Sequence, residues 1–159
     1  MANGLSGIQG HSKVSQGRTP LSGYNFLLRV EAKYDLACRL VQAFRRENEY
    51  EYIQEGGLND YVHILRKPAA QPSTLEVERY VLDNDADPLP VGAVLTMPLL
   101  LMVSRQLNKF EQARRSYAFT GCVVTGKEYS ELNAENSGLM TEKISIAYQE
   151  MFVIDEEGA

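Results

Sequence analysis

The chain is poor in the residues from which catalytic and metal sites are most often built. It has two cysteines and two histidines among 159 residues. Cys38 and Cys122 are too few to staple a chain of this length, and both sit in apolar, strand-like surroundings, so buried free thiols are expected. His11 lies in a Gly/Ser-rich head, and His63 alternates with Tyr61 and Leu65; neither has a partner motif. Cys-x-x-Cys, His-Glu-x-x-His, Walker and Gly-x-Ser-x-Gly patterns are all missing. Gly4, Gly7 and Gly10 have no strand before them, which excludes a dinucleotide loop. No catalytic residue, cofactor or metal is assigned, and an enzyme is the reading least supported.

Long apolar runs are also lacking. The longest, Met97 to Val103, falls far short of a bilayer span, so membrane insertion is not expected. The first twenty residues contain no apolar stretch of the kind a signal peptide needs, which makes synthesis and folding in the cytoplasm the default. There is no basic surplus either. A formal net charge of −5 argues against a general nucleic-acid binder. Hydrophobic content of 44% and charged content of 23% are ordinary for a globular chain.

What is present is patterning with a period of two, the mark of half-buried strands. Residues 1–22 are Gly/Ser-rich and read as a flexible segment, basic through Lys13 and Arg18. A domain then runs over 23–155, and an acidic tail over 156–159. Tyr24, Phe26, Leu28 and Val30 alternate as a first strand, Tyr34-Asp35 reads as a turn, and Cys38 to Phe44 as a second strand. From Arg45 to Gln54 the alternation continues, with Glu47, Glu49 and Glu51 on one face and Tyr50 and Tyr52 on the other. A helix is conceivable there, but paired tyrosines favour an extended arm. Gly56-Gly57 supplies a turn and Tyr61 to Lys67 a return strand, so 45–67 forms one long hairpin.

Thr74 to Val81 is a further strand whose apolar face, Leu75, Val77 and Val81, is broken by Arg79. Three Asp and two Pro stop regular structure between Asp83 and Pro90. Val94 to Val103 fits a strand or a short buried helix, and Leu107 to Arg115 a helical turn or a loop. Tyr117 to Val124 reads as one strand. So does the closing run from Lys143 to Ile154, where Ile144, Ile146, Tyr148, Glu150, Phe152 and Ile154 make one mostly apolar face. Glu150 is the polar exception on that face and must either pair with an Arg or Lys, for which Arg79 is the matching oddity, or face a boundary between subunits. A row of glutamates such as 47, 49 and 51 suits a solvated or lumen face better than a cation site, because hard cations need ligands converging from several elements.

Three separated pieces of the chain carry a resemblance. Glu55-Gly56-Gly57-Leu58-Asn59-Asp60, Leu75 to Arg79, and the closing group of Lys127, Leu132-Asn133-Ala134, Glu142 and Ala147 to Glu150 resemble motifs of the tail tube proteins of contractile injection systems. That family includes the inner tubes of T4-like phage tails and of extracellular injection particles. The chain departs from its pattern at Tyr80, where a Gly is usual after Arg79, and in the proline-bearing stretch 87–97, where an aromatic-rich helix is usual. The resemblance spans about residues 22–154. It implies a mainly β fold, a β-sandwich or small barrel with a long hairpin arm and at most one short helix. It further implies hexameric rings stacked into a hollow tube inside a contractile sheath, with sheath protein, baseplate or hub, cap proteins and effector cargo as partners. Two alternatives stay open: a secreted carrier ring like the haemolysin-coregulated proteins, and an initiator or cap of the same particle.

On that reading the subunit interface is expected at Tyr50, Tyr52, Glu55, Gly56, Gly57, Leu58, Asn59 and Asp60. The expected lumen-facing residues are Glu47, Glu49, Glu51, Lys143, Ser145 and Gln149.

Overall fold

The computed structural model describes residues 21–54, 62–68, 71–84, 86–107, 109–113 and 115–155. Most of the head, the hairpin tip Glu55 to Asp60 and the acidic tail lie outside the described residues.

The alternation at the start of the domain forms β1 (Phe26–Val30), which reverses into β2 (Tyr34–Leu36). The reversal is made by Glu31 and Ala32, both at positive φ, and not by Tyr34-Asp35 as expected. Asp35 is instead a ladder residue opposite Arg29, which reaches it at 2.7 Å. That ion pair rewards keeping Asp35 in the strand. The second expected strand, Cys38 to Phe44, shrinks to β3 (Leu40–Val41). Beyond it the chain leaves the sheet because Phe44 packs edge-on against Tyr117 and Phe119, with ring centroids 4.8 and 5.6 Å away. The Tyr148 hydroxyl donates to the Arg45 carbonyl and fastens the same segment. Core packing thus overrides an alternation that would have extended the strand.

The expected hairpin is present as β4 (Tyr50–Gln54) and β5 (Val62–Arg66), with strand structure starting at Tyr50 rather than Arg45. Next come β6 (Ser73–Tyr80) and then β7 (Leu99–Val103), which starts directly after Pro98, where the missing N–H does no harm. A short 3-10 turn at Phe110–Gln112 is the sole helical element among the described residues. The remaining strands are β8 (Arg115–Thr120), β9 (Val123–Tyr129), β10 (Thr141–Tyr148) and β11 (Glu150–Asp155).

Two antiparallel sheets result, one in the order β11-β8-β7-β1-β2 and the other β3-β6-β10-β9. They form a sandwich, not a closed barrel, and the β4–β5 ribbon stands outside both. Leu28, Leu99, Phe119, Leu75, Ile144 and Ile146 are among the fully buried side chains between the sheets.

The expected strands Tyr117 to Val124 and Lys143 to Ile154 are each two strands. Each passes from one sheet into the other, the first at Gly121-Cys122 and the second at Gln149. The two crossings lie side by side, with the Gln149 N–H donating to the Thr120 carbonyl at 2.9 Å. Passing the corner shifts the phase. Ile144, Ile146 and Tyr148 are buried, but after Gln149 the buried residue is Met151, while Phe152 is 40% exposed. Phe152 therefore does not fill the core as the unbroken alternation implied. Gly121 sits at φ 62°, and a Cβ there would meet the end of the Gln149 side chain at 2.5 Å. Gly121→Ala should cost about 1–2 kcal/mol from the left-handed backbone alone. Gly121→Asn should cost less, because Asn tolerates that region. Urea unfolding of the two variants checks the order.

Both cysteines are free. Burial pushes the Cys122 thiol up to about 11 and the Cys38 thiol up to about 12. Neither should react with a thiol reagent in the native state near neutral pH. A raised thiol pKa also fixes the sign of the linkage. Its contribution to stability is complete below the ordinary value of 9.0 and is lost as pH rises toward the folded values. Unfolding should therefore become easier in that alkaline window, and a Cys122→Ala, Cys38→Ala variant should lose this part of the dependence.

Candidate assembly surfaces and the charge cluster beneath them

Arg79 follows Leu75 and Val77 on the inward parity of β6, so the strand carries a guanidinium into the sandwich. Its neighbour across the ladder is Glu142 of β10, and Ile144 lies opposite Lys127 of β9. The three side chains are only 4–5% exposed. Lys127 Nζ stands 2.8 Å from Glu142 Oε1, and Arg79 Nη2 is 3.6 Å from Glu142 Oε2. Lys127 also reaches Asp87 at 2.5 Å, and Asp87 accepts the Leu89 N–H at 3.2 Å. Two cations and two carboxylates thus neutralise one another and tie the 83–90 loop to the sheet, with Leu89 buried beside them.

Burial disfavours the Lys127 ammonium, but its hydrogen bonds to Asp87 and Glu142 outweigh that and hold its pKa above the ordinary 10.5. Burial likewise works against the Asp87 carboxylate, and the Lys127 hydrogen bond overcomes it, so Asp87 titrates below 3.8.

The expected partner of Arg79, Glu150, is exposed on β11 in the other sheet; the carboxylate that meets Arg79 is Glu142. Glu142 has the same even parity as Ile144, Ile146 and Tyr148, and extending that parity back one step would have found it.

The expected interface and lumen residues fall in four places. Tyr50 and Tyr52 share one face of the β4–β5 ribbon, and Glu51 lies on the other. Glu47 and Glu49 precede the ribbon in an exposed segment without regular structure. Lys143 and Ser145 stand together on the outer face of the β3-β6-β10-β9 sheet, whereas Gln149 is at the corner against Gly121. On that outer face the charges are locally balanced, Lys143 pairing with Glu76 at 3.2 Å and Arg39 with Glu78 at 2.7 Å, and Leu40 and Tyr80 lie exposed beside them. Every residue of β4 and β5 is exposed. A two-stranded ribbon bare on both faces is marginal by itself in water, so its surface asks for a partner.

One surface gave no signal in the sequence beyond the Leu132-Asn133-Ala134 match, namely the 130–140 connection between β9 and β10. Ser130 N–H donates to the Thr141 carbonyl at 2.9 Å, and Thr141 N–H to Ser130 Oγ at 2.9 Å, closing its neck. Leu132 and Leu139 project from it at 74% and 75% exposure.

Among the described residues, no group of three or more His, Cys, Asp or Glu stands close enough to hold a metal, and no helix is long and apolar enough to cross a membrane.

The architecture is a two-sheet antiparallel sandwich with a ribbon outside both sheets. No protein-family model and no curated protein matches the sequence. Solved structures do match in fold. A chain of the anti-feeding prophage cap, a tube-terminating cap, superposes with a TM-score of 0.70 at 8% identity over 87% of this chain and 93% of its own. A chain of the sheath/tube terminator of an extracellular contractile injection system, PVC, gives 0.71 at 9% identity over 87% and 99%. A chain of the sheath-tube complex of the same kind of particle gives 0.70 at 9% over 86% and 92%.

Proposed function

We propose that this chain is a non-enzymatic structural subunit of the inner tube of a contractile injection particle, stacking as hexameric rings into a conduit inside the sheath. The observation that carries this reading is a sandwich that superposes on chains of a sheath/tube terminator and of a sheath-tube complex, with a fully exposed ribbon that a lone subunit does not need. The sequence motifs of the tail tube proteins support it independently. Sheath protein, baseplate or hub and cap are the partners, with effector cargo in the lumen. The subunit is made in the bacterial cytoplasm and works in the assembled particle.

The polar face bearing Lys143 and Ser145 is the lumen side of this arrangement, because paired charges and small polar groups let cargo slide without sticking. The ribbon, with Tyr50 and Tyr52 and the tip beyond it, makes subunit contacts. A second reading, the terminator of the same tube, draws on the two terminator assemblies that superpose as well as the sheath-tube chain does. Electron microscopy of the purified protein separates them. Rings that stack into long tubes are expected; rings that never stack but arrest a growing tube would mark a terminator. A protein that stays monomeric under all conditions would remove both.

A further inference from the structure

Two exposed surfaces of each copy differ in charge and share an apolar character. The first is one face of the ribbon. Residues directly opposed in an antiparallel pair share a face, so Tyr50 with Arg66, Tyr52 with Ile64 and Gln54 with Val62 compose it. Aromatic and aliphatic groups and one guanidinium are there, and none of the six is acidic. Glu49 and Glu51 have the opposite parity. Tyr52 is 70% exposed and Ile64 61%.

The second surface is the 130–140 connection. Its neck is closed by the Ser130 and Thr141 hydrogen bonds, and Asn133 braces it within by accepting from Glu135 N–H at 2.9 Å and Asn136 N–H at 3.2 Å. It is a shaped protrusion, not a slack tether, and its residues surround a shallow concavity of about 570 Å³. Leu132 and Leu139 stand out from it, and their burial at a contact would be favourable. Its charges are Glu131 and Glu135, with Glu128 just before, and no basic residue occurs between 128 and 142.

We infer that the 130–140 protrusion of one copy seats on the Tyr52/Ile64 face of the ribbon of the next, its leucines against that face and Glu131 and Glu135 around Arg66. The occupant is a second copy of this chain, because each copy presents an acid-rimmed apolar knob and an acid-free apolar face with a guanidinium. A partner with a basic apolar knob would be repelled by Arg66, and one with an acidic receptor face by Glu131 and Glu135. Two different patches meet, so the contact is heterologous. Repeated head to tail, it closes a ring or propagates a stack. This inference rests on the tube reading and adds which two surfaces of the subunit meet.

The test is a charge swap read by sedimentation velocity and negative-stain microscopy. Arg66→Glu alone, and Glu131→Arg with Glu135→Arg, should each weaken assembly by about tenfold or more, as expected for an ion pair desolvated at a contact. All three substitutions together should restore assembly to within about threefold of wild type. Leu132→Asp with Leu139→Asp, which leaves those charges alone, should weaken it at least as much. These positions are exposed, and thermal melting confirms that each variant is folded. Wild-type assembly by either single-side reversal overturns the inference, as does failure of the folded triple variant to recover. In both cases wild-type rings keep the tube reading intact, whereas a monomeric wild-type protein overturns the two together.

Discussion

Lys127→Met should lower the stability of the subunit by about 3–5 kcal/mol, the usual cost of removing one partner from a buried ion pair. The loss arises at Glu142, which would keep only the more distant Arg79, 3.6 Å away, inside the sandwich. Asp87 would lose its cation as well, freeing the 83–90 loop from the sheet. Urea unfolding of Lys127→Met, Glu142→Gln and the double variant measures this. Because the two side chains share one contact, the double variant should lose less than the sum of the singles. A loss below about 1 kcal/mol for Lys127→Met would mean that the pair contributes no more than an exposed one.

The pH profile follows from the two shifts. Asp87, held below 3.8, contributes stability that is complete above that value and fades as acid protonates the folded carboxylate. Lys127, held above 10.5, contributes below that value and stops contributing as base removes its proton. Wild type should therefore show an acid and an alkaline shoulder that Lys127→Met lacks.

Tyr52→Ser with Ile64→Ser should act on assembly and leave the fold alone. Both residues lie on a ribbon outside the two sheets, and surface substitutions of that kind change stability by no more than about 0.5 kcal/mol. At a packed contact, an aromatic and a branched aliphatic anchor together are worth about 3–4 kcal/mol. The association constant should then fall by about 10²- to 10³-fold, enough to remove rings at concentrations where wild type assembles. Light scattering across a dilution series, with melting curves alongside, reads both effects. Tubes of normal length from a variant that melts like wild type would place the contact elsewhere.

Period-two patterning was enough to read extended strands, the ribbon and β6 from the residues alone, whereas the sandwich came only with the resemblance. It failed where tertiary packing bends an extended chain without breaking its alternation. Gly121 marks one crossing between sheets, but Gln149 marks the other with no Gly or Pro, so Lys143 to Ile154 looks continuous and Phe152 looks buried. Phe44 similarly alternates as a strand residue, yet an aromatic slot between Tyr117 and Phe119 draws it out of the sheet. The charge cluster was half legible. Arg79 stood out as a cation on an apolar face, and parity places Glu142 on the inward face of β10, but only the ladder register sets the two opposite one another. Beyond the Leu132-Asn133-Ala134 match, the 130–140 connection gives no signal until its hydrogen-bonded neck and exposed leucines are seen together.

The paired crossings at Gly121 and Gln149 also decide how the subunit answers a pull. In a sandwich joined only by side-chain packing, one sheet can slide over the other by exchanging apolar neighbours. Here the covalent chain itself passes between the sheets twice at the same level, and the bond from Gln149 N–H to the Thr120 carbonyl locks the two passages together. Shear between the layers would have to distort both corners together before any core residue changed its neighbours. The two sheets should therefore strain as one elastic body and yield in a single step.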